Sequence, residues 1–378
     1  MKRNKITPRK NHIEKLEELS FDFHTLDNVY WDESVCYEFT MAEVLELEKA
    51  TNELFEMCLT AVQHVIDNDL FDRLCIDRRL VPLILRSWEE EEASVYGRFD
   101  FAYDGVRPPK MLEFNADTPT SLYEGAVVQW VWLQDVNKRK DQFNSIHEKL
   151  ITYWKGCVDY FNGEIVHFSS IDSIEDFTTV EYLRDTAHQA GLNTKYVKIE
   201  DIGWDDKAKE FVDADDVTIH NIFKLYPWEW MMGEEFGDSL LQDVNNTKWI
   251  EPAWKSILSN KGILPILWEL FPHHKNLLPA YFDGPNGLFN YVEKPIYSRE
   301  GANITIFRNG MQAEASEGEY GDEGFIYQEL FELPNYEGNY PIIGSWVIGG
   351  ESAGMGIREN NLEITDNLSR FVPHFINK

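Results

Sequence analysis

The stretch Gly97-Arg98-Phe99-Asp100-Phe101-Ala102-Tyr103-Asp104, then Gly105-Val106-Arg107-Pro108-Pro109, then Lys110-Met111-Leu112-Glu113-Phe114-Asn115, alternates polar and apolar residues on both sides of a Gly/Pro turn. Period two with such a turn in the middle predicts a β-hairpin. In an antiparallel pair, opposed residues share one index sum and project to the same side. Arg98 with Asn115, and Asp100 with Glu113, share that sum. One register therefore gathers an arginine, two carboxylates and an amide on a single face, and sends Phe99, Phe101, Leu112 and Phe114 to the other. Two carboxylates and an amide oxygen are hard donors of the kind Mg²⁺ takes. An arginine beside them would stabilise charge on a transferring phosphoryl group. The plain alternative is a solvated face with an Arg–Asp surface pair, which is worth little.

The hairpin runs into a polar elbow, Asn115-Ala116-Asp117-Thr118-Pro119-Thr120-Ser121, with Pro119 where a helix would start before the apolar run Ala126 to Leu133. Helix N-termini offer unsatisfied N–H groups and suit anions; Thr118 or Thr120 acting only as a cap is the modest reading. Upstream, Thr40 and Glu43 fit a capping box, followed at helical spacing by Val44, Leu45, Leu54, Phe55, Cys58, Leu59 and Val62. Downstream, Glu181 to Ala190 reads as a helix stopped by Gly191, and Thr194 to Ile199 and Val217 to Tyr226 as strands. From Gly284 the chain turns glycine-punctuated and strand-like. The mixture predicts an α+β or α/β fold with no linker at which to cut it.

Charged residues further on could grip phosphates. Glu251 to Leu270 carries Lys255 and Lys261, and the strand-like Tyr291 to Pro295 carries Lys294. A loop with Arg299, Gly301 and Ala302 follows, and Phe325 to Leu330 suits an adenine-binding linker but by itself is only a strand. Two lysines beside a flexible loop can act as point charges on a nucleotide, although most lysines are solvated surface residues. Gly344 to Glu359 is rich in glycine but has neither a Walker A signature nor a strand-led GxGxxG. Plain turns are the default there, a loop close to ligand is the alternative, and Arg358 is a candidate anion binder.

Composition narrows the classes. The 378 residues imply one large or two intimate domains. With 35 Lys and Arg against 66 Asp and Glu, the net charge of −31 argues against nucleic acid and anionic membranes as partners. No stretch approaches a membrane span, and the basic Met1 to Asn11 has no apolar run behind it, so a cytoplasmic protein is expected. Cys36, Cys58, Cys75 and Cys157 are scattered without metal spacing, which fits free thiols in a reducing compartment.

Three segments, MLEFNADTPTSLYE (111–124), YVEKPIYSREGANI (291–304) and GSWVIGGESAGMGIREN (344–360), resemble the synthetase domain of glutathionylspermidine synthase, and more closely its stand-alone bacterial acid–amine ligase relatives. The resemblance runs colinearly over nearly the whole chain. It implies an ATP-grasp fold of the glutathione-synthetase-related kind with a lid over the nucleotide, and amide-bond formation dependent on ATP and Mg²⁺, with two ions. It implies Arg98 at the transition state and Asp100, Glu113 and Asn115 as metal ligands. ATP would contact Arg98, Phe99, Asp100, Lys261 (with Lys255 as second choice), Lys294, Gly301, Ala302, Gln328, Glu329 and Leu330. Thr118, Glu175, Asp176, Arg299 and Arg358 would meet substrate, a small acid such as glutathione and an amine such as a polyamine. The division expected is a single catalytic unit over 1–378, with N-terminal helices and the metal hairpin in 1–165, a substrate-side α/β region in 166–250 and the nucleotide-covering part in 251–378. The family's amidase domain has no counterpart in the residues before the hairpin, which leaves glutathione and spermidine specificity open. Two alternatives stand beside the ligase: an inert nucleotide-binding protein of the same fold, and a glycoside hydrolase built on paired carboxylates.

Overall fold

A computed structural model of the chain describes residues 1–25, 28–235, 237–366 and 369–377. Its centre is an antiparallel sheet in the order Arg370–Phe371, Glu351–Asn360, Tyr340–Ile348, Tyr96–Ala102, Lys110–Asn115. The hairpin forms one edge, and its register pairs Arg98 with Asn115 and Asp100 with Glu113, as the index sum requires. Beyond Asp100 the register shifts, because Phe101 faces Met111 and leaves Leu112 as an extra residue. This corrects one expectation: Met111 takes the buried place, and Leu112 turns into the wall of the cleft.

The apolar face is a ring stack. Phe99 lies 3.9 Å from Phe114 and 5.8 Å from Phe101 between centroids. The helix Met41–Asp67 covers it, with Phe55 edge-on to Phe114 at 6.3 Å. Fully burying each such ring stabilises the sheet by about 1.5–3 kcal/mol. The helix starts as read: Thr40 accepts from the Glu43 backbone N–H, and Glu43 closes the capping box. Leu45 alone among the residues read on the apolar stripe points outward, at 54% exposure.

The glycine-rich C-terminal segment forms two long strands rather than loops. They join at Gly349-Gly350, both left-handed (φ 56° and 86°), the two-residue turn that suits strand twist. Gly344 is dictated by its neighbour: a Cβ there would stand 2.8 Å from Arg98 Cδ. The glycines in this run make room for side chains from adjacent elements.

A parallel sheet runs Lys248–Ile250, Asn221–Leu225, Val166–Ser170, Thr194–Lys198. The helix Ile174–Gln189 links two of these strands and ends before Gly191 at φ 96°. It begins at Ile174, well before the Glu181 expected from sequence. From Thr194–Lys198 the chain crosses to the other side of Val166–Ser170, so strand order reverses between Val166–Ser170 and Asn221–Leu225. The helix after the elbow starts at Leu122 rather than at Pro119, and passes through a π-helical turn, Glu124–Val128, before Gln129–Val136.

A third sheet, antiparallel, runs Ala280–Tyr281, Phe325–Glu329, Tyr291–Pro295, Thr305–Arg308, Met311–Ala315. Two of its side chains dock it to the hairpin: Lys294 Nζ donates to Leu112 O (2.9 Å) and Gln328 Nε2 to Met111 O (3.1 Å). A small sheet joins Lys2–Lys5 and His374–Asn377 to opposite sides of Val35–Thr40. Among the described residues no helix is long and apolar enough to cross a membrane.

Candidate active site

The three large sheets face a cleft of about 400 Å³. The parallel sheet offers the carboxyl ends of Val166–Ser170 and Asn221–Leu225, through Ile171 and Tyr226. Those ends flank the point where strand order reverses, the usual ligand crevice of an open parallel sheet.

The hairpin face lies at one end of this cleft. Arg98 is 5% exposed; its Nε and Nη2 donate to the two oxygens of Asp100 at 2.7 and 3.1 Å, and its Nη1 to Thr120 O at 2.7 Å. Arg358 Nη2 adds a second charged bond to Asp100 Oδ2 at 2.8 Å. Asn115 Nδ2 donates to Asp100 at 3.3 Å and to Glu113 at 3.1 Å. Lys261 Nζ reaches Glu113 Oε2 at 3.0 Å and the Ser298 carbonyl at 2.5 Å. Lys294 Nζ donates to Gln328 Oε1 at 2.7 Å. Burial by itself would lift the Glu113 carboxyl, but Lys261 and Lys294 outweigh it and hold it well below the usual carboxylate range. Burial lowers the Lys294 ammonium to about 8, against the opposing pull of Glu113.

Among the described residues no three His, Cys, Asp or Glu side chains gather as a metal centre. A cation here would rest on the oxygens of Asp100, Glu113 and Asn115, three side chains already joined through one amide. That is a hard donor set and fits Mg²⁺ in type.

The adjoining end, which Arg98 and Arg358 still reach, is acidic. Glu175 and Asp176 stand in the first turn of Ile174–Gln189. Burial, reinforced by Glu175 and Glu300, pushes Asp176 up to about 7. Glu175 is raised as well, by burial and Glu300, with Arg358 and Arg98 opposing. Between the ends, Arg299 Nη1 donates to Thr118 Oγ1 at 2.8 Å and pairs with Glu229. Beneath them Asp117 and Lys224, both wholly buried, pair at 2.7 Å and tie the elbow to the strand Asn221–Leu225.

The cleft brings together Arg98, Asp100, Glu113, Asn115, Lys261 and Lys294, with Gly301 and Gln328 to Leu330 beside them. Thr118, Glu175, Asp176, Arg299 and Arg358 line it too. Three residues expected to contact ATP, Lys255 only as a second choice, lie outside the lining of the cleft. The Phe99 side chain is in the ring stack, because strand alternation turns it away from the face of Arg98 and Asp100. Ala302 is outside the lining, its N–H closing a turn onto Arg299 O at 2.9 Å and its Cβ packed under Gly318. Lys255 is a core strut: its Nζ donates to Tyr96 O and Ala116 O at 2.9 and 3.1 Å and pairs with Glu251 at 3.2 Å. Of Lys255 and Lys261, Lys261 is the one that lines the cleft. Sequence reading missed Tyr30 and Ser121, which line the cleft, and Glu124 behind them. Glu124 left a signal as the lone charge between Leu122 and Leu133; Tyr30 left none.

The mixed helix-and-sheet fold is glutathione-synthetase-like. A glutathione synthetase-like effector of Globodera pallida, in its apo form, aligns with a TM-score of 0.55 at 12% identity over 90% of this chain and 89% of that one, a likeness of fold. The chain belongs to the glutathionylspermidine synthase family, whose preATP-grasp description matches residues 3–377. It is 42% identical to a Haemophilus influenzae protein named “Putative acid--amine ligase”, over 97% of both chains. It is 30% identical to the trypanothione synthetase of Crithidia fasciculata (94% of this chain, 57% of that protein) and to the bifunctional glutathionylspermidine synthetase/amidase of Escherichia coli (90% and 59%). Membership makes the chain an ATP-dependent carbon–nitrogen ligase in class, and sets the glycoside hydrolase alternative aside.

Proposed function

We propose that the protein joins a small carboxylic acid to an amine through an acyl phosphate, using ATP and Mg²⁺. The observation that carries this reading is the convergence of Arg98, Asp100, Glu113 and Asn115 with Lys261 and Lys294 in one cleft. The substrate carboxylate attacks the γ-phosphorus of ATP, and ADP leaves. The amine then attacks the acyl carbon, and phosphate leaves as the C–N bond closes. Arg98 neutralises charge on the moving phosphoryl group, and Lys261 and Lys294 hold the phosphates, so the protein's part is positioning and electrostatics. Mg²⁺ held by Asp100, Glu113 and Asn115 supplies further neutralisation when bound. Gln328, Glu329 and Leu330 take the adenine. Arg299, Thr118 and Arg358 hold the acid, and Glu175 and Asp176 face the amine. The loop from Arg299 to Asn303 closes as a lid and keeps water from the acyl phosphate. In this reading residues 1–378 act as one catalytic unit, and a short peptide such as glutathione and a polyamine are the substrate classes to try first.

The test is ADP release across amino acids, γ-glutamyl peptides and polyamines, with Mg²⁺ and then with EDTA. Arg98→Ala should retain ATP-dependent thermal stabilisation and lose roughly 100- to 1,000-fold in turnover. Wild-type protein that binds ATP but releases no ADP with any pair would favour an inert binder.

A further inference from the structure

Tyr30, Ser121 and Glu124 form a hydrogen-bonded group at the edge of the cleft that the reaction as described leaves unused. Tyr30 OH donates to Glu124 Oε1 at 2.6 Å and lies 3.2 Å from Ser121 Oγ. Tyr30 and Ser121 line the cleft, whereas Glu124 is 1% exposed and stands behind them. The Tyr30 ring is fixed against Phe21 and Phe23, at 6.2 and 5.7 Å between centroids, so only its hydroxyl end is presented. Glu124 opens the π-helical turn, a local distortion that recurs at functional positions. Its second oxygen, Oε2, is buried with no hydrogen-bond partner. A buried carboxylate that lacks a partner is poorly solvated and gains by taking a proton.

We propose that Tyr30 and Glu124 form a proton relay for the amine half-reaction. This rests on the ligase reading above. The ammonium form of the amine gives one proton to Tyr30 Oη while the Tyr30 proton passes to Glu124 Oε1; the freed nitrogen then bonds to the acyl carbon as the C–O bond to phosphate breaks, and its second surplus proton leaves with the phosphate. The carboxylate ends as a carboxylic acid, and solvent resets it after product leaves. The groups facing Glu124 are Tyr30 by hydrogen bond, Glu175 from the first turn of Ile174–Gln189, Arg98 from the hairpin and the adjacent Tyr123. Burial and Glu175 push Glu124 up to about 7, with Tyr30 and Arg98 opposing. That matches a base working near neutral pH. Burial, with Glu124 and Glu175 nearby, keeps the Tyr30 hydroxyl protonated, so it releases a proton only as it receives one.

The experiment compares two nucleophiles on one acid substrate: a strongly basic primary amine, which must shed a proton, and hydroxylamine, which is already neutral at the assay pH. Glu124→Gln keeps the shape of the side chain, and Tyr30→Phe keeps the ring stack. With the basic amine both variants should lose roughly 100-fold in kcat; the wild type should show an acid limb near pH 7 that Glu124→Gln lacks. With hydroxylamine both should stay close to wild type. Equal losses with the two nucleophiles, or an unchanged acid limb in Glu124→Gln, would overturn the relay and leave these residues structural. A wild type that turns over neither nucleophile would instead remove the ligase reading, and the relay with it.

Discussion

At the hairpin end of the cleft, Asp100 and Glu113 sit among Arg98, Arg358, Lys261 and Lys294. At the adjoining end, which Arg98 still reaches, Glu175 and Asp176 sit beside each other and near Glu300, and Glu124 lies behind Tyr30. Both sets are withdrawn from water, yet Glu113 is held charged while Asp176 and Glu124 titrate near 7. Burial works in the same direction everywhere; the cations decide the sign. The bulk charge of −31 thus describes neither end. It argues against polyanions that meet the whole surface, while a pocket of four cations inside the same molecule can still attract a triphosphate.

The contrast can be broken by neutralising one acid at each end. Glu113→Gln leaves Lys261 and Lys294 facing each other without their counter-charge, and should lower stability by about 2 kcal/mol at neutral pH. Glu113 is depressed in the folded state, so its contribution exists above the ordinary carboxylate pKa and fades below it. In urea melts the gap between variant and wild type should close as pH falls through that range. A gap that stays constant with pH would mean the lysines do not set the state of Glu113.

Gly344→Ala sharpens the comparison without changing any charge. The new Cβ would press on Arg98 Cδ and shift the guanidinium off Asp100. Turnover should fall roughly tenfold, the effect of misplacing a positioned group, while Asp176, which Arg98 does not reach, is untouched. Unaltered kinetics would show that Arg98 has slack.

The smallest effect is expected from Asp176→Asn, and it has the opposite sign. A carboxyl raised to about 7 carries its burial penalty only when ionised, so the folded state binds more protons than the unfolded one between the ordinary carboxylate pKa and 7. Removing the charge should stabilise the protein above pH 7 by on the order of 1 kcal/mol, discounted for partial solvent access, and change nothing below the ordinary carboxylate range. Destabilisation at high pH would place Asp176 in an ion pair instead.

What could be read from sequence follows from locality. The hairpin was legible because strand alternation and antiparallel pairing are rules over a few residues, and they placed Arg98, Asp100, Glu113 and Asn115 correctly. The capping box at Thr40 and the stop at Gly191 are equally local. Leu112 was misplaced because a bulge leaves no mark in a period-two pattern. Lys255 and Lys261 could not be separated by type or spacing; only the tertiary partners Tyr96 O and Glu113 tell strut from ligand. Tyr30 comes from a loop far upstream, and no periodicity connects it to Glu124. Gly349-Gly350 is a turn as expected, but Gly344 and Gly356 lie in strands because their cause is in other segments, Arg98 for one and Phe371 for the other.

The extra residue at Leu112 has a mechanical consequence. Two successive carbonyls of the hairpin, Met111 O and Leu112 O, are claimed by Gln328 and Lys294 from neighbouring strands of the third sheet. The chain thus trades ladder regularity for a two-point attachment at the base of the cleft. Lys294 is thereby anchored through the hairpin's own backbone, next to Glu113, so its place is set by main-chain geometry rather than by its flexible stem.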